Sequence, residues 1–162
     1  MIAILHPFRD DLLDDYVPDD WTGEHVERRL VEAYAILRRM PDRNLRPRAF
    51  GTLWPEYQSE WADLLAQVGM SDPGRECQMH LPPTSIEIAN MESALDWPIS
   101  YLRGYDDEAR ALSRRAMAKA AGIPLRAVAR RTGGDERQLK RQAERGAHII
   151  AVALSRGGAR PW

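Results

Sequence analysis

Apolar residues recur along most of this chain at intervals of three and four, the period of a helix with one buried face, and no stretch alternates as a half-buried strand would. The first such run places Val26, Leu30, Ala33, Leu37 and Met40 on one stripe. Thr22 stands where an N-cap is needed and Glu24 lies near the positive end of the helix dipole, so a helix is predicted from Thr22 to about Arg39, ahead of Pro41. Its spacing is also the coiled-coil rhythm, but over so short a run it fits packing inside a bundle, with a homodimer seam as the alternative. After an Arg- and Pro-bearing loop from Pro41 to Gly51, Pro55 can open a second helix whose face carries Tyr57, Trp61, Leu64, Leu65 and Val68. Gly69 to Pro83 reads as loop. Thr84 and Glu87 have capping-box spacing and predict a helix that buries Ile88, Met91 and Leu95 and ends near Trp97-Pro98. A further helix is expected from Asp106 or Asp107 to near Gly122, with Ala109, Leu112, Ala116 and Ala120 inward.

The segment from Pro124 to Ile150 has a different composition. It reads as a short helix, a glycine-bearing turn and a second helix carrying several arginines. Val128, Ala129, Gly133 and Leu139 fall where a helix-turn-helix needs a small residue at the crossing, a turn glycine and an apolar lock. Asp135 is expected to cap the second helix through its side chain, with Glu136 onward helical. At about 100° per residue, Leu139, Ala143, Gly146 and Ile150 face inward while Arg137, Arg141, Glu144 and His148 face the other way. The expected fold class is therefore all-α, a helical bundle with a C-terminal helix-turn-helix. The expected divisions are an acidic segment 1–20, a helical domain 21–102, a helix-turn-helix domain 103–154 and a basic flexible tail 155–162.

Charge sharpens this picture. The net charge of −1 hides 9 Lys+Arg against 18 Asp+Glu in residues 1–102, net −9, and 14 against 6 in residues 103–162, net +8. One half is suited to a polyanion, although the two halves would also neutralise each other across an internal interface. With 162 residues the chain can bury a core without staples, and its single cysteine excludes an internal disulfide framework, so a reducing cytoplasm is the expected location. Its apolar runs are too short to span a bilayer, and the acidic amino terminus does not read as a secretory signal.

Arg115-Ala116 through Gly122, followed by Val128-Ala129 and Thr132-Gly133, is similar to the C-terminal helix-turn-helix of sigma-factor region 4 and to terminal DNA-binding domains of many phage proteins. More of the chain resembles an uncharacterised phage- and prophage-borne family. The matching residues are Trp21-Thr22 with Glu24, Val26 and Arg29-Leu30, then Trp54-Pro55, Pro82-Pro83, Ile88, Met91-Glu92 and Trp97, and the terminal motif. The resemblance implies a fold and a context, but no activity. Two positions depart from it: Thr132 stands where a bulky aliphatic is usual, and Gly134 where Val or Ile is usual. Both weaken burial, and Gly134 is expected to loosen the turn.

These readings lead to the expectation of a sequence-specific double-stranded DNA-binding protein, a transcription regulator. Arg137, Gln138 and Arg141 would face the major groove, and Arg126, Arg130, Arg131, Lys140 and Arg145 would contact phosphates. The alternatives are a DNA-recognition packaging subunit resembling a small terminase, and a protein that binds host RNA polymerase or another protein through its acidic half. No catalytic constellation, cofactor or metal site is expected. Cys77 and His80 lack a second ligand pair, the carboxylates between Asp10 and Asp20 lack a calcium-loop pattern, and no Walker or GxGxxG loop occurs. The tail from Ser155 to Trp162 reads as disordered, as a minor-groove arm, or as an aromatic plug into a partner.

Overall fold

The computed structural model describes residues 17–40 and 82–162. Among the described residues are five α-helices and no strand: α1 (Gly23–Arg39), α2 (Ser85–Tyr101), α3 (Asp106–Ala120), α4 (Leu125–Thr132) and α5 (Glu136–Arg156). The helix expected after Pro55, the loop from Gly69, Cys77, His80 and the carboxylates before residue 17 lie outside the described residues. No described helix is long and apolar enough to cross a membrane.

Local chemistry accounts for the helix starts. The Thr22 side chain accepts from the His25 backbone N–H at 3.1 Å, which caps α1. At α2, Thr84 Oγ1 accepts from the Glu87 N–H at 3.2 Å while Glu87 accepts from the Thr84 N–H at 2.7 Å, the reciprocal pair that the spacing predicted. Helix α2 does not stop at Trp97-Pro98. Pro98 forfeits only its own donor, its carbonyl still accepts from the Leu102 N–H at 3.3 Å, and the helix continues to Tyr101.

The predicted stripe of α1, from Val26 to Met40, is buried within the chain rather than offered to a second copy. It meets Met91, Ala94, Leu95 and Trp97 of α2, Leu112 and Ala116 of α3, and Ala147, Ile150 and Leu154 of α5 in one cluster. Ile88, Ala109 and Ala120, expected inward, are only partly buried at its margin. Helix α1 packs on α2, α3 and α5, and α5 packs most extensively on α3. The described residues of the expected segments 21–102 and 103–154 thus share a core.

The end of the chain differs from the expected free tail. Gly158, at φ 69°, takes the left-handed conformation, and the Ala159 N–H closes back on the Leu154 carbonyl at 3.1 Å, a Schellman stop that reverses the chain after α5. Trp162 then lies 5.1 Å from Trp21 and 5.3 Å from Trp97, ring centre to ring centre, so it packs into its own chain where a plug into a partner was expected.

Candidate nucleic-acid interface

Helix α4 ends in the same way, and this sets the direction of α5. Gly133 adopts φ 68° and ψ 18°, and the Gly134 N–H reaches the Ala129 carbonyl at 3.0 Å. Gly134 itself is outside the left-handed region, and its N–H completes the helix stop. Thr132, in place of a bulky aliphatic, donates its hydroxyl to the carbonyls of Val128 at 3.1 Å and Ala129 at 3.3 Å, which satisfies a polar atom at a half-buried position. Asp135 occupies the N-cap position with extended backbone, but its side chain makes no capping bond, contrary to expectation. The carboxylate is exposed and remains solvated.

The two faces of α5 separate as the period requires. Leu139, Ala143, Gly146 and Ile150 are buried, while Arg137, Arg141, Glu144 and His148 are exposed. Gly146 permits a close crossing, since a Cβ there would sit 3.1 Å from the Glu108 carbonyl oxygen of α3. Along the first two turns of α5, Glu136, Arg137, Gln138, Lys140 and Arg141 are all exposed and only Leu139 turns inward, whereas the second half of the helix packs in the bundle. Arg126, Arg130 and Arg131 are exposed on neighbouring α4.

These cations are not equivalent. Lys140 Nζ lies 3.9 Å from Glu144, and Arg145 is 3.4 Å from Glu108 with its guanidinium 5.9 Å above the Tyr105 ring. Arg131 makes an intrachain interaction of its own. Arg126, Arg130, Arg137 and Arg141 have no carboxylate partner among the described residues. Such guanidiniums can donate paired hydrogen bonds to phosphate oxygens or to guanine O6 and N7.

Beneath the exposed half of α5 lies an ionic cluster that the periodicity did not reveal. Glu27 of α1 is buried, and its Oε1 sits 2.9 Å from Arg115 Nε and 2.6 Å from Lys119 Nζ of α3, ion pairs without hydrogen-bond alignment. Arg115 continues to α5, with Nη1 3.3 Å from Glu144 and 3.5 Å from the Lys140 carbonyl. Compared with protein-family models, curated proteins and solved structures, the chain matches none.

Proposed function

We propose that this protein binds double-stranded DNA through α4, the Gly133 turn and α5, acting as a helix-turn-helix in a transcription regulator of phage or prophage type. The observation that carries the reading is the set of four exposed arginines without a described partner, Arg126, Arg130, Arg137 and Arg141, gathered on α4 and the outer half of α5. A helix fits the major groove with its first turns at the base edges. In that pose Arg137, Gln138 and Arg141 read bases, while Arg126 and Arg130 hold phosphates and fix the register. Arg131, Lys140 and Arg145 have intrachain interactions that would compete with phosphate contact.

The test is selection of bound duplexes from a random library, followed by salt titration of the enriched site. With about four phosphates neutralised, log K falls against log salt with a slope of roughly −4. Enrichment of one motif, lost with Arg141→Ala, supports the reading. Salt-independent binding, or no binding, removes it. A ring of subunits on DNA would redirect the site to packaging, and a nuclease-resistant complex with host RNA polymerase would make the motif a scaffold for protein contact.

A further inference from the structure

We infer that Arg115 is the positioning residue of the proposed reading helix, fixing the pose of α5 through buried Glu27, and so governs sequence discrimination without touching DNA; this rests on the DNA-binding reading above. The outer half of α5 is held to the rest of the chain by few apolar anchors, chiefly Leu139 and Ala143. Apolar contact is not directional, so Leu139 and Ala143 choose the buried face of this half but leave small shifts in rotation and slide open. Arg115 supplies direction. Its planar guanidinium meets the Lys140 carbonyl and the Glu144 carboxylate, and the Lys140 carbonyl lies between the two arginines proposed to meet bases, Arg137 and Arg141.

The other end of this link is fixed. Arg115 and Glu27 side chains are only 12% and 9% exposed, and the buried carboxylate belongs to α1, whose stripe sits in the core. The guanidinium therefore ties α1 and α3 to the reading half of α5. Base-edge hydrogen bonds tolerate displacement of only about half an ångström, whereas phosphate attraction acts over a longer range. Releasing the tie should therefore weaken discrimination before it weakens general attraction.

The experiment uses the full chain, the duplex enriched by selection and a scrambled duplex of equal composition. Arg115→Lys keeps the charge but not the fork. It should lower the affinity ratio between the two duplexes by about tenfold, the worth of one good base contact, and leave the salt slope unchanged. Arg115→Met alone leaves the buried Glu27 carboxylate with Lys119, 2.6 Å away, as its remaining cation among the described residues, and can destabilise the chain. The double variant Glu27→Gln with Arg115→Met removes both charges and provides a folded comparison. Its helical circular dichroism and thermal midpoint should stay near the parent's while the ratio remains low. A ratio that recovers together with stability, or one unchanged in Arg115→Lys, would make the cluster merely structural and overturn the inference. If the parent chain enriches no motif, the DNA-reading proposal itself fails and this inference falls with it; if the parent does and both variants keep its full ratio, only the positioning role fails.

Discussion

The Trp21 indole N–H donates to the Ala159 carbonyl at 3.0 Å, joining the residue before the α1 cap to the chain beyond α5. This bond anchors one side of an aromatic cluster in which Trp21 meets Trp97 and Trp162 edge-on, at 80° and 82° between ring planes. Edge-to-face contacts of this kind add about 0.5–1.5 kcal/mol beyond the area they bury. The tail is thereby committed to the bundle at the end of α5 remote from Arg137.

His25 lies in the same cluster and makes it sensitive to acid. Arg28, which can only donate, lies 2.7 Å from Nδ1, so the ring proton is on Nε2 and is donated to the Trp162 main-chain oxygen at 3.1 Å. Burial, then the charges of Arg28 and Arg29, push the imidazole down to about 4, against an opposing contribution from the Trp162 oxygen. Between 6.5 and about 4 the unfolded chain binds the extra proton and the folded one does not. Stability from this group is therefore complete above that window and lost as pH falls through it. Chemical denaturation should show a loss on the order of 2 kcal/mol between pH 7 and pH 5, and His25→Gln should flatten that dependence. A parent and variant with parallel profiles would assign the acid sensitivity to other groups.

Trp162→Ala tests what the packed tail does. The ring is half-buried, so the cost should be about 1–2 kcal/mol, less than for a fully buried tryptophan, with a midpoint lower by several degrees. Duplex affinity should not change, because the tail lies far from the outer half of α5. A fall in affinity as large as that from Arg141→Ala would restore the tail as a groove-binding arm.

The elements legible in the sequence were those set by local rules. Val26 to Met40, the Thr84–Glu87 box and the inward series from Leu139 to Ile150 depend on period and capping alone, and each packs as expected. The rest depends on long-range neighbours. The packing place of Trp162 is not legible, because Trp21 and Trp97 become its partners only after Gly158 reverses the chain. Nothing near Glu27 in the sequence announces that Arg115 and Lys119 converge on it. Of the candidate interface, the exposed face was legible, but the intrachain interactions of Lys140, Arg145 and Arg131 were not.

The two turn glycines should respond in opposite ways. Gly133→Ala forces a side chain into the left-handed region and should cost about 1–2 kcal/mol. Gly134→Ala meets nothing closer than Thr132 Oγ1 at 3.7 Å and loses unfolded-state freedom, so it should be neutral or stabilising by up to about 1 kcal/mol. Thermal unfolding of both variants checks this. Equal destabilisation would mean that Gly134 needs a conformation only glycine can adopt.

The cations of the interface should also separate by whether they already have partners. Arg130 is exposed, with no carboxylate partner among the described residues, so in the proposed complex it is free to displace a counterion from phosphate. Arg130→Ala should reduce the steepness of log K against log salt by about one and leave unfolding unchanged. Arg145 begins from a different state, with Glu108 at 3.4 Å and the Tyr105 ring beneath it, and using it on DNA would first cost those contacts. Arg145→Ala should therefore move the slope by only a few tenths. Fluorescence anisotropy of the selected duplex over a salt series measures both. If the two variants lose the same slope, the Arg145–Glu108 pair opens on DNA and Arg145 joins the phosphate contacts; if neither does, the polyanion meets another face of the protein.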